Sequence, residues 1–288
     1  MTDFVHPEFL VETDWLAQNL SREDVVVLDC TVHLKTQPNG PYQIVPGLED
    51  YENGHVAGAQ FCDLQRDVSD STQKTNFMRP TAAGFTAAMR RFGISNNTHV
   101  VTYSTANPWW ATRVWWLLRE FGHDNAAALN GGWQKWRREG RKSETGPSQQ
   151  RAAGTFNVTA ERGLMVGKDE VMAAMGDASV CTLNALMPAQ YSSGTYGRPG
   201  QIPGSVAVPA AHLLDPATNT FLPADELRAR LGAVGALDRP VIAYCGGGIA
   251  ASADALALIM LGHRNVKIYD ASLSEWAKDE SLPMETGV

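Results

Sequence analysis

The chain repeats itself, and this limits its architecture more than any other feature. VVTYSTANPWWATRVWWLLREFGHDNAAALNGGWQKW (100–136) lines up with VIAYCGGGIAASADALALIMLGHRNVKIYDASLSEW (241–276). Tyr103 matches Tyr244, Gly122-His123 matches Gly262-His263 and Trp136 matches Trp276, with a one-residue difference in the loop after the tyrosine. GHVAGAQFCDL in the first half matches GQIPGSVAVPA in the second, and VVVLDC (25–30) matches SVCTLN (179–184). Self-similarity at this scale implies two copies of one folding unit, and 288 residues suffice for two domains of ordinary size. The expected division is 1–142, a polar linker over 143–162 long enough to pack along the surface, and 163–288.

Within each copy, short β-branched runs alternate with helical patterns. VVVLD, VVTY and AAALN read as strands in the first copy; SVCTL, VIAY and VKIYD do so in the second. Between VIAY and VKIYD lies IAASADALALIMLGH, a helix by propensity, with Gly262 to close it. Strand, helix, strand in this order predicts an α/β fold, a parallel sheet flanked by helices in each copy.

Four cysteines occur, Cys30, Cys62, Cys181 and Cys245, with no CxxC pair and no His/Cys cluster at zinc spacing. No metal and no cofactor are therefore expected. Three of these thiols read as small buried hydrophobes. Cys245 differs because Gly246-Gly247-Gly248 follows it and leads into a helix. Consecutive glycines let successive backbone N–H groups turn into one concavity, and the helix start adds partial positive charge. A cysteine at the mouth of such a cradle should lose its proton easily, and the cradle should receive an anionic substrate or leaving group.

Two other chemistries fit this loop less well. Gly246-x-Gly248-x-x-Ala251 after a strand, with Asp270 ending the next strand, satisfies a dinucleotide fingerprint. Only 18 residues follow Asp270, too few for the rest of a nucleotide-binding sheet, and the equivalent loop of the first copy, Ser104-Thr105-Ala106-Asn107-Pro108, has no glycine. A cysteine phosphatase would need an arginine six positions after the cysteine, where Ala251 stands. The net charge of -7 and pI of about 5.5 argue against a nucleic-acid partner. No run approaches the roughly 20 apolar residues of a membrane span, and MTDFVHPEFL lacks signal-peptide character, so the expected location is the cytoplasm.

Taken together, these motifs resemble the tandem rhodanese sulfurtransferases, which include thiosulfate and 3-mercaptopyruvate sulfurtransferases. GHVAGAQFCDL looks like the family's Gly-His-Ile-Pro-Gly-Ala segment. RVWWLLREFGH (113–123) and LNGGWQKW (129–136) are similar to its inactive domain, and GQIPGSVAVPA with CGGGIA to its active one. The resemblance implies that Cys245 takes sulfane sulfur as a persulfide and passes it to a thiol or cyanide acceptor. It also implies that Gly246, Gly247, Gly248, Ile249 and Ala250 complete the substrate-binding loop. Ser104 at the equivalent place makes the first copy catalytically silent. A non-turnover sulfur carrier or redox-sensing module is the alternative.

The loop departs from both family patterns. Thiosulfate-type members follow the cysteine with arginine and lysine, mercaptopyruvate-type members with glycine and serine; here Gly246 and Gly247 supply no side chain. Asp63 matches one interdomain aspartate of the family, whereas Gln65 and Phe77 stand where a second aspartate and a histidine would be. Gln190 replaces one substrate arginine, and Arg198 is the match for another. With few cations left, the backbone is expected to carry most of the anion binding. Trp115 and Trp116 are expected in the core, Trp109 and Trp110 at a crevice wall, His55 in a structural role, and His123 and His263 as helix C-terminal caps.

Overall fold

Both copies build the same sheet. A computed structural model describes residues 3–37 and 42–287 of the chain. The first sheet runs, in spatial order, Leu10–Val11, Ala126–Leu129, His99–Tyr103, Val25–Asp29, Gln60–Phe61. The second runs Met165–Val166, Val266–Tyr269, Val241–Tyr244, Cys181–Asn184, Val206–Ala207. All neighbours within each are parallel. The expected α/β fold, a parallel sheet flanked by helices in each copy, is thus present. The central strands are buried along their length, as continuous apolar runs covered on both faces must be.

The register corrects one sequence match. Asp29 pairs with Tyr103 and Asn184 with Tyr244, so 25–29 is equivalent to 180–184, one residue away from the match of VVVLDC with SVCTLN. The bonds past the strand ends agree: the Cys30 amide donates to the Tyr103 carbonyl, and the Ala185 amide to that of Tyr244. A short β-branched run carries no internal marker of register, and here the ladder to the tyrosine strand decides it.

The two copies meet through their central helices, Trp109–Glu120 and Ala251–Met260. All ten residues of the second are buried. This mostly apolar helix, which also buries Ser252 and Asp254, lies between its own sheet and the helix of the other copy. Equivalent positions touch at the crossing, where Thr112 Oγ1 and Ser252 Oγ lie 2.7 Å apart. The residues before Phe9 cross to the second copy: the amides of Val5 and His6 donate to the Met260 carbonyl at 2.9 and 3.1 Å.

The stretch 143–162 follows the first copy. Ser143–Glu144 pairs antiparallel with His55–Val56, the Gly154 amide donates to the Arg90 carbonyl, and Phe156 is fully buried. An antiparallel hairpin, Val32–Lys35 with Gln43–Pro46, has no counterpart in the second copy among the described residues. Its residues Val32, Lys35 and Ile44 are among those that line the cavity described below. No helix among the described residues is long and apolar enough to cross a membrane.

Candidate active site

Cys245 follows directly on the strand Val241–Tyr244, at the carboxyl end where parallel sheets open their crevices. It is 2% exposed and forms part of the lining of a cavity of about 690 Å³ between the copies. The first copy contributes Phe77, Trp109 and Trp110, and the hairpin contributes Tyr42 and Ile44. The second copy contributes Gln190, Tyr196 and the loop residues Cys245, Gly246, Gly247, Ile249 and Ala250.

The loop is fixed from below by Ser272. Its Oγ accepts from the Cys245 and Gly248 amides, each at 3.0 Å, and donates to the Tyr269 carbonyl at 2.7 Å. Ser272 is fully buried with φ at 51°, a left-handed conformation that disfavours any residue with a Cβ. The Leu273 and Ser274 amides hold the Cys245 and Gly246 carbonyls at 3.1 and 2.8 Å. The amides of Gly246, Gly247, Ile249 and Ala250 have no partner among the described residues, which leaves four donors beside the thiol.

The three glycines serve different ends. Gly248 has φ at 69°, and a Cβ there would stand 2.5 Å from the Asp270 carbonyl oxygen. Gly246 lies under Tyr196, whose hydroxyl oxygen would be 2.6 Å from a Cβ at 246. Nothing crowds Gly247, where only Ser274 Oγ comes within 3.9 Å. Gly248, expected in the substrate-binding loop, is absent from the cavity lining. Its amide is bound by Ser272 and its carbonyl accepts from Arg113 Nη1 at 3.3 Å.

Arg113 ties the copies together at this point. It extends from the first copy's central helix, is 1% exposed, and donates to Asp270 Oδ1 at 2.7 Å and to the Phe77 carbonyl. Asp270 Oδ2 accepts the Arg79 amide at 2.7 Å. A buried ion pair with its hydrogen bonds filled is costly to break from either side. Here it joins the first copy's helix to the carbonyl of the loop.

Two expected site residues are elsewhere. Arg198 is outside the cavity lining, because its guanidinium donates to the carbonyls of Trp276, Ala277 and Asp279 past the helix Ser272–Trp276. Carbonyls left unpaired at a helix end draw a nearby cation. Asp63 is also outside the lining; its carboxylate accepts the Gln65 and Arg66 amides and caps the short helix Leu64–Asp67.

The cavity also holds cations that the sequence had not placed there. Lys35, Lys74 and Lys278 line it and, among the described residues, no aspartate or glutamate does, in a chain of net charge -7. Phe77 and Gln190 both line it; Gln65 Oε1 accepts the Phe77 amide at 3.0 Å, and Gln190 Oε1 the Met187 amide at 2.9 Å. Trp109 and Trp110 form part of the wall, while Trp115 and Trp116 are fully buried. His55 stacks on Tyr51 and bonds the Tyr51 carbonyl, a structural role. His123 and His263 close their helices through backbone amides, to Leu118 and Leu258, rather than through their rings.

The family model for the rhodanese-like domain matches residues 12–139 and 169–279. The chain belongs to the rhodanese family. It is 32% identical over 306 residues to thiosulfate/3-mercaptopyruvate sulfurtransferase 1 of Arabidopsis thaliana, a mitochondrial protein, covering 97% of this chain and 78% of that one. It is 31% identical over 301 residues to the sulfur carrier protein TtuD of Thermus thermophilus, covering 99% of each. Its fold superposes on the crystal structure of the 3-mercaptopyruvate sulfotransferase SseA from Escherichia coli with a TM-score of 0.82, at 30% identity over 92% of this chain and 98% of that one. Both copies are rhodanese-like, yet only the second carries a thiol at the strand-to-helix loop. Ser272 and Arg113, which bond the loop, and Lys74, which lines the cavity, gave no signal in the sequence, since each comes from a distant segment.

Proposed function

We propose that the chain is a sulfurtransferase that carries sulfane sulfur on Cys245, taking it from a small anionic donor such as thiosulfate or 3-mercaptopyruvate. One observation supports this above the others. A thiol stands beside four amides that have no partner among the described residues, in a cavity lined by three lysines and, among those residues, by no carboxylate. Such a site suits a nucleophile whose substrate and leaving group are both anions.

The Cys245 thiolate attacks the outer sulfur of thiosulfate; the S–S bond breaks and its electron pair leaves with sulfite. The persulfide anion is held by the amides of Gly246, Gly247, Ile249 and Ala250. An acceptor such as cyanide or a thiolate then attacks the outer sulfur, and the electron pair of the S–S bond returns to Cys245. Covalent capture divides one transfer into two easier ones. The fold supports a division into a silent domain over 1–142, a linker over 143–162 that packs on it, and a catalytic domain over 163–288. Release of thiocyanate from cyanide, with thiosulfate or 3-mercaptopyruvate as donor, is expected from the wild-type protein and not from Cys245→Ser. Equal release from both would overturn the assignment. The similarity to a protein named a sulfur carrier favours one second reading, in which persulfide forms but no small acceptor turns it over; one sulfur per chain without cyanide turnover would select it.

A further inference from the structure

We propose that Tyr196 is a catalytic residue of this transfer, donating its phenolic hydrogen bond to the negative charge that develops on the donor at Cys245, and that it dictates glycine at position 246. The inference rests on Cys245 being the sulfur-carrying nucleophile. Tyr196 comes from the loop between the helix Pro188–Ser192 and the strand Val206–Ala207, a segment with no chemical motif of its own. It lines the same cavity as Cys245. Its hydroxyl oxygen would lie 2.6 Å from a Cβ on Gly246, the residue next to the nucleophile, and its ring edge would overlap that Cβ. The hydroxyl has no hydrogen-bond partner among the described residues, and only burial and the nearby Cys245 and Tyr42 act on its ionisation. A part-buried polar tip without a partner, beside a nucleophile, is placed to bind whatever the nucleophile binds.

The phenol is suited to act as a neutral donor. Burial, reinforced by the nearby Cys245, pushes its ionisation above the ordinary tyrosine value, so it keeps its proton throughout the working range. For a donor with a carbonyl beside the sulfur-bearing carbon, such as 3-mercaptopyruvate, the Cys245 sulfur attacks the donor sulfur and the C–S bond breaks. The electron pair passes into an enolate, and the donor's thiol proton ends on the new methyl group, giving a methyl ketone and the persulfide anion. Tyr196 loses no proton in this sequence; it stabilises the enolate oxygen while the charge is there. The same packing excludes a side chain at 246, so a neutral hydroxyl on 196 and a residue with a Cβ on 246 are alternatives for one volume.

The test is single-turnover persulfide formation on the full chain with 3-mercaptopyruvate, comparing wild type with Tyr196→Phe. Removing one preorganised donor to a developing oxyanion costs on the order of 10²-fold in rate, and a fall of at least about 10-fold in rate, with KM little changed, is expected. Alkylation of Cys245 by iodoacetamide should stay within about twofold, because the donor binds substrate charge rather than the thiol. An unchanged persulfide rate would overturn the proposal, and so would a parallel loss of alkylation. If the wild type forms no persulfide, the sulfurtransferase reading itself fails, which the wild-type arm alone reveals. For the packing half, Gly246→Ala should lower the melting temperature, and adding Tyr196→Ala should restore part of the loss. Additive losses would overturn it.

Discussion

The loops after Tyr103 and Tyr244 occupy the same place in the same fold, and they differ in four residues that matter. Ser104 stands for Cys245, and its carbonyl is held by the Trp133 amide just as that of Cys245 is held by Leu273. Gly132 stands for Ser272. Both are left-handed, with φ at 53° and 51°, but only the serine supplies a hydroxyl to gather two loop amides. Asp29 stands for Asn184 beside the tyrosine, and Ala253 for Arg113 on the central helix. The first copy took the relaxed choice at the left-handed position. The second accepts backbone strain there in exchange for a fixed loop, which is how functional sites are commonly set apart from their scaffold.

Substitutions at these four positions either erase the difference or test its origin, beginning with the nucleophile itself. Cys245→Ser should lower the rate of thiocyanate formation by at least about 10³-fold, the scale of losing a covalent nucleophile. Ser104→Cys should not restore it in that background, because the first loop is closed by Pro108 and has no hydroxyl at 132. Recovery of activity in the double variant would show that a thiol is all that separates the copies.

Arg113→Ala breaks the interdomain ion pair from one side and leaves Asp270 buried without its partner. A loss of about 3–5 kcal/mol in unfolding free energy is expected, read by urea denaturation. The Ala253 counterpart shows that the fold does not demand a cation at this position, so a small loss would place the role of Arg113 in the loop alone.

Asp29 and Asn184 separate the copies by pH. Burial pushes the Asp29 carboxyl up to about 6, so its neutral form is the one the fold prefers. The stability it lends is full below pH 4 and is lost as pH rises through 6. The shift corresponds to about 3 kcal/mol at most. Asp29→Asn, which copies the second domain, should therefore show a flatter stability profile between about pH 4 and 7 than the wild type. Parallel profiles would mean that Asp29 titrates as an ordinary carboxyl.

The smallest effect on stability is expected from Ser272→Gly, which gives the second loop the residue of the first. Relief of left-handed strain offsets the lost hydrogen bonds, so unfolding free energy should change by less than about 1 kcal/mol. Sulfur transfer should nonetheless fall about 10-fold, since the Cys245 and Gly248 amides lose their anchor. Unchanged turnover would remove Ser272 from the account.

The repeat, the strands and the cysteine loop were legible in the sequence because each is local: β-branched runs, a shared Gly-His after each central helix, three glycines after a thiol. The register of VVVLDC was misread by one residue because pairing is set by a neighbouring strand. Arg198 and Asp63 lie outside the cavity lining for a related reason. A motif-borne arginine and aspartate look alike whether they meet a substrate or cap a helix, and here the nearest unpaired backbone groups took both. Tyr196, Lys74 and Ser272 stayed hidden because only the fold brings their segments to the cavity or loop of Cys245. Gly247, expected only as part of the glycine cradle, has no steric reason to be glycine: a Cβ there would meet only Ser274 Oγ at 3.9 Å.

Mass spectrometry of the wild-type chain after incubation with thiosulfate or 3-mercaptopyruvate, under non-reducing conditions, tests the central claim most directly. One additional sulfur on the peptide carrying Cys245, absent from those carrying Cys30, Cys62 and Cys181 and removed by cyanide, is the expected result. An unmodified Cys245 peptide, or the sulfur on one of the other three cysteines, would contradict it.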